Sequence, residues 1–123
     1  MANKAQALYG FWSSFGWPAY DENSVPDDAV LPYITYDTGE DMLDSEISLS
    51  ASLWDESTSW RTVTEKADQI AHQIIVNQRP IPLTGGGYLW IKKGSPFMRR
   101  VNDQNIKIRH IFINYQAEFL TAY

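Results

Sequence analysis

The chain has no cysteine. That excludes disulfides and thiolate metal ligands, and it fits a reducing compartment. Long apolar runs are missing too: no stretch approaches the ~20 apolar residues that a membrane-spanning helix needs. The opening Met1-Ala2-Asn3-Lys4 leads into Gln6 and Tyr9 rather than an apolar run, so no secretory signal is expected there. Positive charge is absent from residues 5–60, which hold eleven Asp and Glu and no Lys, Arg or His. Residues 61–123 reverse the balance, with nine Lys and Arg against four acids.

The net charge of −5 argues against general nucleic-acid binding, where a basic surface supplies most of the affinity. The uneven split has two readings. In one, the acidic stretch is a solvated loop region and the two halves neutralise each other within one fold. In the other, an acidic face meets a basic face on the next copy of the same chain, and such head-to-tail contacts close into rings.

What is present suits one domain. A chain of 123 residues buries roughly two-thirds of the surface it exposes when unfolded, and five Trp and seven Tyr supply large rings for the core.

Residues 3–15 predict a helix capped by Asn3, with Ala5, Leu8, Trp12 and Phe15 on one face and Gly16 and Pro18 as stop signals. Residues 17–30 read as irregular, because Pro18, Pro26 and Asp21-Glu22-Asn23 oppose regular structure. Residues 31–38 are strand-like. The cleanest strand signal is 46–54, where Ile47, Leu49, Ala51 and Leu53 alternate with Glu46, Ser48, Ser50 and Ser52. A second helix is expected from Thr62, with Thr62 and Glu65 as a capping box and Val63, Ala67, Ile70, Ala71 and Ile74 along one face. Arg79-Pro80-Ile81-Pro82 reads as extended backbone after it.

Residues 88–93 predict a strand, Gly94-Ser95-Pro96 a turn, and 97–101 a short strand or arm. Residues 105–120 predict a long last strand, and a phase slip near Arg109-His110 predicts a β-bulge there. The series predicts an α+β fold: an antiparallel β-sheet of about four strands with two α-helices packed on one face.

No motif specifies chemistry. His72 and His110 are not tied by sequence to a nucleophile. Asp37, Glu40, Asp41 and Asp44 lack the spacing of a calcium loop. Gly85-Gly86-Gly87 leads into a strand rather than the helix of a phosphate-binding loop. No catalytic, cofactor or metal residue is therefore expected. The charged groups remain: Glu40, Asp41 and Asp44 on the acidic side, and Lys92, Lys93, Arg99, Arg100, Lys107 and Arg109 on the basic side, as candidates for a subunit interface.

The ordered series resembles the tail terminators of siphophages, the lambda-like tail completion or head–tail joining proteins. The likeness is carried by the N-terminal helix, by Pro32-Tyr33-Ile34-Thr35-Tyr36, by the alternating strand from Ile47 to Leu53, by Trp60-Arg61-Thr62 through Ile75, and by His110-Ile111-Phe112-Ile113-Asn114-Tyr115. It spans residues 5–121. The resemblance implies a non-enzymatic virion protein, assembled in the bacterial cytoplasm, that forms a homohexameric ring on the head-proximal end of the tail tube. Its implied partners are further copies of itself, the tail tube protein and the head–tail connector, with DNA passing through the lumen without specific binding and no membrane or cofactor. An acidic lumen would repel that DNA. The alternatives are another phage neck, head-completion or minor capsid protein, or a small α+β ligand-binding domain or enzyme with a pocket between helices and sheet.

Overall fold

A computed structural model of the chain describes residues 3–37, 46–76 and 78–120. Helix α1 (Lys4–Ser13) opens on a reciprocal cap: the Asn3 side chain accepts from the Gln6 N–H at 2.8 Å, and the Gln6 side chain accepts from the Asn3 N–H at 3.1 Å. Ala7, Leu8, Trp12 and the following Phe15 are buried. Ala5, expected on that face, is exposed. Lys4 covers the core at this end instead, with its ammonium 4.5 Å from the Phe119 ring centroid. Gly16, at φ +88°, turns the chain out of the helical region.

Helix α2 (Arg61–Ile75) buries Val63, Ala67, Ile70 and Ile74. The expected capping box at Thr62 does not form, because the helix starts earlier, behind Trp60, with no side-chain cap bond. Glu65 pairs instead with Arg61 at 3.1 Å. The Lys66 ammonium donates to the Phe15 carbonyl at 2.5 Å and stands over Trp17, tying α2 to the end of α1.

The sheet corrects the sequence expectation. It has six strands rather than about four, and it is mixed rather than antiparallel. The strands are β1 (Ala19–Asp21), β2 (Tyr33–Tyr36), β3 (Glu46–Glu56), β4 (Ile81–Leu83), β5 (Gly87–Asn102) and β6 (Ile108–Leu120), in the spatial order β1-β2-β3-β6-β5-β4. β1 runs parallel to β2, and every other pair is antiparallel.

β1 and β4 are three residues each, too short to show a period, and both lie among prolines. Their strand character comes from edge pairing. Helix α1 touches β1, β2 and β4, so it spans both ends of the strand order, and the sheet curls into a half-barrel around the helices.

Two further differences concern the last hairpin. Residues 87–102 form one strand, not a strand, turn and arm, with the register slipping between Lys93 and Met98. β6 pairs with β3 in continuous register from Ile108 to Glu118, so no bulge lies at Arg109-His110. The apparent slip arises because β6 begins at Ile108, while Ile106 sits in the preceding turn, 75% exposed.

The concave face holds the core. Ile34, Leu53 and Ile111 lie in one cross-strand row, and Tyr36, Ala51, Ile113 and Met98 in the next. Tyr115 is buried beside Trp12 and donates its hydroxyl to the Asp37 carbonyl at 3.1 Å. Burial pushes its pKa well above the usual phenol range. Tyr115→Phe leaves that carbonyl without this donor and is expected to cost about 1–2 kcal/mol. A lower urea midpoint at unchanged slope is the result to look for.

Candidate functional site

Two ends of the sheet differ in charge. Residues 19–37, which contribute β1 and β2, hold Asp21, Glu22, Asp27, Asp28 and Asp37 and no base. Residues 78–102, which contribute β4 and β5, hold Arg79, Lys92, Lys93, Arg99 and Arg100 and no acid. β2, β3 and β6 lie between β1 and β5. Four strand spacings set the two groups roughly 19 Å apart along the sheet. The Debye length at physiological salt is about 8 Å, so exposed charges that far apart neutralise each other only weakly. On the acidic side, burial and the neighbouring charges of Asp37 and Asp21 hold the Glu22 pKa above the usual carboxylate value. Like charges are crowded there.

The basic candidates are not equivalent. Arg100 donates to the Thr64 hydroxyl at 3.4 Å and stands 4.9 Å from the Trp60 ring centroid. Arg109 reaches the same ring at 5.1 Å and donates to the Thr58 carbonyl at 2.6 Å. Those two guanidiniums hold the start of α2 against the hairpin. Lys92 is ion-paired with Glu118 across β5 and β6. Lys93 and Arg99 are exposed on β5, with Arg99 over the Phe112 ring, and Lys107 is exposed in the β5–β6 turn. Glu40, Asp41 and Asp44 lie outside the described residues.

β5 itself has an open side. β4 pairs only with its first three residues, Gly87 to Leu89. Among the described residues no strand lies beside 90–102 on that side. A long strand with unsatisfied outward N–H and C=O groups is a template for another strand.

The helix-free face of the sheet is polar and aromatic. Trp54 stacks on His110 at 3.8 Å, and the Trp54 indole donates to the Thr35 hydroxyl at 3.0 Å. The His110 Nε2 is buried and has no hydrogen-bond partner among the described residues, and burial lowers the imidazole pKa, Asp103 opposing the shift and Arg99 adding to it. A base whose folded pKa lies below its unfolded value of 6.5 destabilises the fold as pH falls through that window, because the unfolded chain binds the proton first. Melting temperature should therefore drop on going below pH 6.5, and His110→Phe should remove that part of the drop. Identical pH profiles for the two chains would contradict this reading.

One groove of about 350 Å³ opens between α1, α2 and β4, lined by Gln6, Gly10, Phe11, Ile74, Arg79 and Ile81 among others. Its lining is mainly apolar, and Arg79 is the charged side chain in it. His72 lies in a separate cleft with Ser14, Phe15, Gln69 and Gln73. The two histidines thus sit apart, one on α2 and one on β6, and neither cleft presents an acid facing a base or nucleophile.

With this geometry in place, the chain can be compared with known proteins. No family profile matches it, and no curated protein does. Its fold matches a chain from the virion of a native gene transfer agent (GTA) particle, with a TM-score of 0.58 over 96% of this chain and 92% of that one. The fold occurs in a virion. At 15% identity the likeness establishes the architecture of both chains and nothing of their residues' roles.

The acidic residues of the β1–β2 flank are not among the interface candidates that the sequence suggests, although the base-free stretch 5–60 contains them all. Position in the strand order, which the stretch does not reveal, is what sets Asp21, Glu22, Asp27 and Asp28 opposite β5.

Proposed function

We propose that the chain is a phage-type virion structural protein, specifically a tail terminator. In this reading, copies form a ring, expected to be a hexamer, on the last ring of the tail tube. The ring stops tube growth and presents a surface to the head–tail connector, with DNA passing through the bore. The chain works by assembly rather than catalysis. What carries the reading is the fold shared, over nearly the full length of both chains, with a chain from a GTA virion. Support comes from the order of elements that resembles the terminator family, and from a sheet whose two ends carry opposite charge, which suits head-to-tail contacts.

Gold-labelled antibody against the chain, applied to purified particles with opened necks, tests the location. Label at the head-proximal end of the tail is expected. Label confined to the head shell or the distal tip, or a chain missing from purified particles, would contradict the proposal.

A further inference from the structure

We infer that the basic outer edge of β5 docks on the acidic β1–β2 flank of a second copy, so that one sheet continues into the next. This deepens the ring reading and rests on it. β5 offers thirteen residues, 90–102, beyond the strand that covers its start. The flank at the far end of the same sheet ends in β1, with no strand beyond it among the described residues. When one end faces the other, the exposed Lys93 and Arg99 meet the exposed Glu22, Asp27 and Asp28.

Edge strands are often guarded by lysines, prolines and bulges that deter unwanted pairing. β5 has all three: Lys92 and Lys93, Pro96, and the slip between Lys93 and Met98. The lysines repel a second β5, whose charges are the same, and attract an acidic strand, so they disfavour an isologous pair of edges. Pro96 and the slip oppose any strand through the middle of the edge, which leaves the stretches on either side of the slip for pairing. The guard and the attraction together select a heterologous contact, the kind that closes into a ring. Strand polarity is compatible. Tracing the pairings across the sheet, β1 runs opposite to β5. Rotation about an axis along the strands preserves that relation, so the new contact is antiparallel.

The test uses two variants of the full chain. Lys93→Glu with Arg99→Glu makes the β5 edge acidic, and Glu22→Lys with Asp27→Lys makes the flank basic. Arg100 and Arg109 are left alone because they hold Trp60. Each variant alone is expected to self-associate roughly tenfold or more weakly than the natural chain, measured by mass photometry and light scattering at matched thermal midpoints. An equimolar mixture is expected to assemble again, since every contact in an alternating ring is then complementary. Amide exchange at 90–102 should slow in the assembled species and not in either variant alone.

Assembly of each variant at natural strength, failure of the mixture to assemble, or a natural chain that stays monomeric at high concentration would each overturn the inference. Capping of tail-tube ends separates this from the function proposed above. Variants that still form rings and still cap tubes would remove the edge contact while leaving the terminator role intact. Natural chains that join edge to flank but never bind tube ends would do the reverse.

Discussion

Trp12→Ala is expected to lose about 3–5 kcal/mol of stability, the usual range for truncating a buried indole. Trp12 is fully buried where α1 meets the sheet. Its ring lies 5.0 Å from Phe11 and 5.1 Å from Tyr115, both edge-on, and 6.2 Å from Phe15. α1 spans the two ends of the curled sheet, so a cavity at Trp12 loosens the element that joins β1 and β2 to β4. The midpoint of thermal unfolding should fall by roughly 10–20 °C for a domain of this size. Trp12→Phe is expected to cost well under half as much, because phenylalanine keeps an aromatic ring between Phe11 and Tyr115. Equal losses for the two substitutions would mean that the N–H matters more than the ring. A loss below 1 kcal/mol for the alanine would mean that α1 does not close the half-barrel.

Gly94→Ala should be nearly as damaging, by a different route. A methyl group at Gly94 would come within 2.7 Å of the backbone carbon and oxygen of Asn114. No side-chain rotation relieves a clash with backbone, so the strands must part. The site is where β5 slips register against β6, and the Asn114 amide holds the slipped segment by donating to the Pro96 carbonyl at 2.8 Å. Forcing them apart is expected to cost about 3 kcal/mol, the upper part of the range for overpacking. Amide exchange should quicken in β5 and β6 on both sides of the slip before it quickens in the helices. Since Lys93 precedes the slip and Arg99 follows it, the same change should weaken self-association more than its loss of stability alone predicts. An alanine variant with natural stability and natural exchange would show that Gly94 does not pack against β6 as described.

The sequence was informative where a period had room to repeat. Ile47, Leu49, Ala51 and Leu53 announced β3, of which Leu49, Ala51 and Leu53 are buried, and Val63, Ala67, Ile70 and Ile74 announced the buried face of α2. Asn3 marked the start of α1. Where elements are short the signal failed. Ala19–Asp21 and Ile81–Leu83 lie among prolines that argue locally against strands, and only pairing with β2 and β5 makes them part of the sheet. That is why the sheet was underestimated and the parallel pair missed. The Thr62-to-Glu65 pattern misled because the helix starts behind Trp60, which puts Thr62 inside the first turn and leaves Glu65 to pair with Arg61.

The candidate interface was half legible. The charge split between chain halves is plain in the sequence, but sequence does not say that β2, β3 and β6 will separate the acids from the bases. Nor does it show that Arg100 and Arg109 are already engaged at Trp60 while Lys93 and Arg99 stay exposed.

The most direct test of the central claim is to add the purified chain to growing tail tubes and measure tube length and end occupancy by electron microscopy. The terminator reading predicts a ring of six-subunit mass at one end of each tube and growth that stops on its addition. Tubes that continue to lengthen, with the chain absent from their ends, would contradict it.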